Sequence, residues 1–157
     1  MISLFFRNLL FTILQPGVVA ALLPYLILGN RITQALGEPF NLRHFAALAV
    51  FVFGFIIMLV CIGSFAIYGR GTLSPADPTK KLVVQGLYRY SRNPMYVGIM
   101  LMLIGEGFFF GSGVLWAYTL IIFILFNIFI RYFEEPRLMR DFGAEYTHYR
   151  QRVGMWL

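Results

Sequence analysis

The residues best placed to do chemistry lie in one short stretch, Gly86-Leu87-Tyr88-Arg89-Tyr90-Ser91-Arg92-Asn93-Pro94-Met95-Tyr96-Val97-Gly98, a polar, basic and aromatic insert between long apolar runs. Asn93-Pro94 predicts a helix start, because asparagine is a good N-cap and proline is tolerated at the first helical position. The apolar run that follows predicts a membrane helix, so a helix N-terminus is expected near the membrane surface. Its free N–H groups and positive dipole end suit an anion or the carboxylate of a ligand. Tyr88, Tyr90 and Tyr96 fall within nine residues, and aromatic faces stack on a base or attract a cation. An ordinary interfacial belt of tyrosine and arginine anchoring a helix has the same composition.

Further along stand Glu134-Glu135-Pro136-Arg137-Leu138 and Phe142-Gly143-Ala144-Glu145-Tyr146-Thr147-His148-Tyr149. With Leu82-Val83 ahead of the first stretch, these segments resemble, in order and spacing, the isoprenylcysteine carboxyl methyltransferase and phospholipid methyltransferase families of integral membrane enzymes. Those families carry a Gly-x-Tyr-x-x-x-Arg-His-Pro-x-Tyr-x-Gly-like segment, then Glu-Glu-x-x-Leu and an aromatic-Gly-x-x-Tyr-x-x-Tyr tail. The resemblance covers roughly residues 70–157. It implies a methyltransferase that uses S-adenosylmethionine, with Lys80, Lys81, Leu82, Val83, Tyr88, Asn93, Pro94, Met95, Tyr96 and Glu134 at the cofactor. It also implies an arginine, about a turn before the acidic pair, that meets the substrate.

Arg131 is the candidate for that arginine, although the family spacing falls one residue earlier, on Ile130. Lying three residues before Glu134 and four before Glu135, it is expected to share a helix face with both. Arg131 and Glu135 are thus the expected catalytic residues; a salt bridge at a span's end is the plainer reading of the pair. Asn93 stands where better-studied members have histidine. Asparagine keeps a donor and an acceptor but does not titrate, so it suits hydrogen bonding to a cofactor rather than acid–base work.

Methyl transfer from a sulfonium is an in-line displacement. It asks the protein to orient two reactants and exclude water, and it needs no metal. Cys61 is the single cysteine and lies within an apolar run. It reads as a small packed side chain, and no cysteine–histidine cluster suggests zinc. Glu106, in Gly105-Glu106-Gly107, is a carboxylate inside an apolar helix, which is a functional hypothesis by default. Pairing with Arg31, Arg43 or another helix is the structural alternative. His44, at a span's edge, reads as an interface residue, and Trp116 and Trp156 as interfacial anchors.

The elements that must position these residues are all helical. The 157 residues are 59% hydrophobic and 13% charged, about half the charge of a soluble domain. The expected fold is all-α: a polytopic membrane protein with about four transmembrane helices, a helical hairpin and a C-terminal interfacial amphipathic helix. It forms a single domain, with N-terminal spans over residues 1–69 and the cofactor-binding and catalytic region over 70–157. The spans are expected at residues 4–28, 44–68, 94–110 and 114–131, with polar loops at 29–43 and 69–93. Gly63-Ser64 is the expected site of close helix approach in the second. The N-terminus lacks the basic n-region of a signal peptide, so it is expected to be a retained span. Leu138, Phe142, Tyr146, Tyr149 and Val153 recur at helical spacing along one face of the tail.

The net charge of +6 belongs to topology and anionic headgroups rather than to nucleic acid, for which no motif is present. With four spans, ten of the 13 basic residues share one side. The positive-inside rule then puts both termini and the 69–93 loop in the cytoplasm, where S-adenosylmethionine is made. The protein is expected in an inner or plasma membrane, in contact with the lipid bilayer and a lipid-like or small hydrophobic acceptor. Phospholipid N-methylation, a sterol-reductase-like NADPH enzyme and a non-enzymatic membrane scaffold are the other readings. Because an amine acceptor must first lose a proton, the asparagine tips the balance slightly toward carboxylate or sulfur acceptors.

Overall fold

The computed structural model describes residues 13–37, 39–64, 67–68 and 81–156, and these residues are helical with short connections. A π-helical stretch, Ile13–Leu22, leads into α1 (Leu23–Leu28), and α2 (Arg31–Gly37) follows after Gly29-Asn30. Next come α3 (Leu42–Ser64), a 3-10 turn (Gly86–Arg89), α4 (Pro94–Phe110) and α5 (Gly113–Phe129). A π turn (Ile130–Glu134) joins α5 to α6 (Glu135–Arg152).

Among the described residues, α3 and the long helix that begins at Gly113 are long and apolar enough to cross a membrane. The bent pair Pro16–Leu28 and Arg31–Gly37 makes a third candidate, with an 88° bend. α4 is apolar but has only 17 residues. The first span therefore does not run straight into a polar loop, as expected. The expected 29–43 loop contains α2, because Arg31-Ile32-Thr33-Gln34-Ala35-Leu36 carries no breaker once Gly29 (φ 51) has turned the chain. Pro16 sits inside the π stretch, where a proline cannot donate. The Val19 carbonyl there accepts the Tyr118 hydroxyl at 2.7 Å, so a neighbouring helix satisfies part of the disturbed backbone.

α3 and α4 are antiparallel and pack more closely than side chains allow. A Cβ on Gly54 would lie 2.5 Å from Gly98 O, one on Gly98 2.8 Å from Gly54 O, and one on Gly105 2.9 Å from Ala47 O. Small residues at such a seam let backbones touch, which is a main source of helix association in lipid. The expected close approach at Gly63 is not made among the described residues, where a Cβ there meets nothing within 4 Å. Gly54 carries it instead. The other face of α3 shows Phe45, Leu48, Val52, Phe53 and Ile56 outward, the arrangement of a lipid-facing helix. Gly111 (φ 56) ends α4 in the left-handed conformation that glycine permits, and turns the chain into α5.

Candidate functional site

The site is built where the α4 start, the α5–α6 junction and the C-terminal tail meet. The chain reaches it through the 3-10 turn, which places Tyr88 inward at 5% exposure against Cys61 and Val83. Cys61 and the Tyr88 hydroxyl are hydrogen-bonded, and burial raises that phenol well above its ordinary value, so it stays protonated. The Tyr88 carbonyl accepts the Tyr149 hydroxyl at 2.6 Å. Tyr88, expected as part of an aromatic wall for the cofactor, is thus packed into this cluster. Tyr90 is exposed.

Asn93 takes the N-cap position, with Pro94 as the first helical residue, as expected. Its side chain does not cap the helix. The Asn93 backbone N–H donates to Ser91 Oγ at 3.0 Å, while its Nδ2 donates across to the Met155 carbonyl at 3.0 Å. The Arg92 N–H donates to Gly154 O at 3.0 Å. The tail after α6 therefore lies along Ser91-Arg92-Asn93. The first N–H groups of any α-helix have no partner within it, so the α4 start offers donors beside this loop.

Two neighbouring acids face two environments. The half-buried Glu134 accepts the Tyr96 hydroxyl at 3.0 Å on Oε2, and the Tyr96 ring packs on Phe126 with centroids 4.6 Å apart. Glu135 is buried, with Oε1 2.5 Å from Arg92 Nη1 and Oε2 3.5 Å from Arg150 Nη2. Arg92 Nη1 also reaches the Tyr146 hydroxyl at 3.3 Å. Arg92 Nε is buried and has no hydrogen-bond partner among the described residues. A carboxylate between two guanidiniums is neutralised and held, whereas Glu134 Oε1 has no hydrogen-bond partner among the described residues.

Arg131 does not join this group. It is exposed and forms no ion pair with Glu134 or Glu135 among the described residues. The expectation of a shared face assumed α-helical turns. The chain runs through a π turn from Ile130 to Glu134, and a wider turn rotates residues three apart onto different faces. Ile130 is the fully buried residue of that turn.

Of the other expected cofactor residues, Lys80 lies outside the described residues and Lys81 is exposed. Leu82 and Met95 are half-buried, and Val83 lies in the Tyr88 cluster. The structure thus brings together Tyr96 and Glu134, sets Asn93 and Pro94 beside the tail, and keeps Tyr88 behind them. Sequence reasoning missed Arg92, Tyr146, Tyr149, Arg150, Asn127 and the carbonyls of Gly154 and Met155. The tyrosines carried a signal, since both belong to the regular apolar face of the tail. That face is the packed one: Leu138, Phe142, Tyr149 and Val153 are half-buried and Tyr146 is buried. It is not one straight helix, because Gly143 (φ 51) breaks it. Glu106 meets neither Arg31 nor Arg43, and its Oε2 has no hydrogen-bond partner among the described residues. Trp156 bonds to Asn127 at 3.1 Å.

A family model of phospholipid methyltransferases matches residues 42–145, from the start of α3 into the second half of α6. An uncharacterized protein of Haemophilus influenzae (strain ATCC 51907 / DSM 11121 / KW20 / Rd) is 33% identical over 63 residues, which is 40% of this chain and all of that protein. No solved structure matches.

Proposed function

The chain belongs to the phospholipid methyltransferase family, and from that membership we propose that it transfers a methyl group from S-adenosylmethionine to a lipid-like or small hydrophobic acceptor at the membrane. The observation that carries this is the Tyr96–Glu134 hydrogen bond at 3.0 Å, set beside the helix start at Asn93-Pro94. It ties an acidic side chain to the first turn of α4, where the Met95 and Tyr96 N–H groups have no partner within the helix. S-adenosylmethionine bears a carboxylate, an ammonium, a ribose diol and an adenine, so it needs both kinds of group, and the residues present fit it. When bound, it supplies an activated methyl on a sulfonium.

The chain's own residues do the rest. Glu134 Oε1 accepts from the ammonium or the diol while Tyr96 holds Oε2 in place. The N–H groups at the start of α4 take the carboxylate. Tyr88 and Val83 back the loop from below. Glu135, fixed by Arg92 and Arg150, ties α6 to the Ser91–Asn93 loop and is a positioning residue rather than the general base. Glu134 is the acid left to take a proton where the acceptor is an amine. Arg131, exposed at the end of the apolar run, holds the polar head of the acceptor while its stem stays in the apolar layer.

The membrane arrangement that suits this has four spans. The bent pair, α3, α4 and the helix from Gly113 cross, and the basic residues of the 69–93 loop and the tail face the cytoplasm. Cysteine labelling that places the 69–93 loop on the outer side overturns this orientation. Thermal shift of the detergent-solubilised protein tests the cofactor. S-adenosylhomocysteine raises the apparent stability and NADPH does not, because a ligand specific for the native state must stabilise it. Stabilisation by NADPH alone overturns the proposal.

A further inference from the structure

Asn127 is a polar side chain on an apolar helix, and Trp156 ends the described chain. The two meet, with Trp156 Nε1 donating to Asn127 Oδ1 at 3.1 Å and Asn127 Nδ2 donating to Phe123 O at 2.7 Å. Both ends of the amide are engaged. The indole also lies against Phe123, with ring centroids 5.2 Å apart. Between this anchor and α6 the chain is extended at Val153 (φ −123, ψ 131). It then passes the start of α4, where Gly154 O takes the Arg92 N–H and Met155 O takes Asn93 Nδ2, each at 3.0 Å.

A carbonyl oxygen only accepts, so the Met155 contact fixes which way the Asn93 amide points. Its nitrogen is committed to the tail. Its oxygen receives no hydrogen bond from any described residue. Histidine in the same place would be equivalent in its neutral form, with one ring nitrogen donating to Met155 and the other left to accept.

We propose that the tail, anchored by the Trp156–Asn127 bond, positions Asn93 as an acceptor-only group that takes an N–H donor of the cofactor. This rests on the S-adenosylmethionine reading, whose ligand carries two such donors, the adenine amine and the α-ammonium. Trp156 and Asn127 are then positioning residues that act through Asn93 without touching the ligand.

Calorimetric titration of the purified full-length protein with S-adenosylhomocysteine tests this, with circular dichroism confirming helicity. Trp156→Phe keeps the ring and removes only the N–H, and Asn93→Leu removes the acceptor. Each weakens binding roughly three- to tenfold, the range of one hydrogen bond. The double variant binds no more weakly than Asn93→Leu alone, because the tail reaches the ligand only through Asn93. Asn93→His stays within about twofold of the wild type. Asn127→Leu removes the same anchor from a helix where leucine is at home, and it gives the Trp156→Phe pattern even if the tryptophan variant fails to fold. S-inosylhomocysteine, with an oxo group in place of the adenine amine, names the donor: weak binding assigns the amine, and wild-type affinity assigns the ammonium. An equal loss from Trp156→Phe in both backgrounds, or no loss in either, overturns the proposal while leaving the cofactor reading intact. A wild type that does not bind S-adenosylhomocysteine overturns both.

Discussion

Polar side chains are buried at both ends of the α3–α4 pair, and they are satisfied in different ways. At the α3 start His44 is 4% exposed and its ring lies between Phe40 and Phe109, at centroid distances of 5.4 and 5.1 Å. Its Nδ1 is 2.9 Å from Asn41 Oδ1, which also accepts the Arg43 N–H at 3.1 Å. Every hydrogen-bond partner lies within three residues along the chain. At the α4 start the partners are far apart in sequence: Tyr96 with Glu134, Arg92 with Glu135, and Asn93 with Met155 are separated by 38, 43 and 62 residues. A local cluster forms as soon as its helix forms, and it says how that helix begins. A long-range cluster exists only in the folded protein, after loop closure has been offset by other contacts. The second kind is therefore where a ligand site can be assembled, and the histidine among aromatics at the first supports the Asn41 helix cap.

The difference can be broken or sharpened by substitution. The largest effect belongs to Glu135→Ala. It strips Arg92, whose side chain is only 10% exposed, of its counter-charge, and removing one partner of a buried pair costs about 3–5 kcal/mol. Denaturation of the detergent-solubilised protein should show this loss of stability, and an unchanged midpoint would mean that the cluster does not hold α6 to the loop. Glu134→Ala comes next. S-adenosylhomocysteine affinity should fall roughly tenfold or more, whereas stability drops by only about 1 kcal/mol for the lost Tyr96 bond. Equal titration curves for variant and wild type would remove Glu134 from the site.

At the other end, Asn41→Ala should cost about 1 kcal/mol as an ordinary cap deletion and leave cofactor affinity unchanged. A coupled loss of affinity would show that the two ends communicate. Arg131→Ala has the smallest effect on either quantity. The arginine is exposed, so stability holds and cofactor affinity stays within about twofold, while turnover falls once an acceptor is in hand. If it abolishes cofactor binding in a folded protein, the arginine belongs to the cofactor site.

The helices were legible because apolar runs need no partner to declare themselves. Pro94 and Gly111 bound α4 where the sequence puts a cap and a turn, and α3 and α5 lie within a few residues of expectation. What could not be read were features set by a neighbour. Gly54 and Gly63 are both glycines on an apolar helix, and only Gly98 on α4 decides which of them makes the close approach. Arg131 looked aligned with Glu134 until a π turn changed the pitch, and a single sequence carries no periodic mark of such a turn. Asn93 was legible as a cap by position but not by hydrogen bond, since its side chain is claimed by a carbonyl 62 residues away. Main-chain carbonyls such as those of Gly154 and Met155 have no sequence signature at all.

The glycine seam also sets a depth. Because Gly98 lies between Gly54 and Met58, Pro94 stands about level with Val60, and the last four residues of α3 continue past the start of α4. At 1.5 Å per residue this is ~6 Å of helix. The loop carrying Val83 and Tyr88 folds back along that overhang, against Cys61. The loop therefore packs beside the end of α3 instead of standing clear of it. On the proposed reading, a lipid acceptor meets the site without leaving the bilayer. It need not be drawn out of the bilayer, which would cost about 0.8 kcal/mol for every CH₂ exposed on the way.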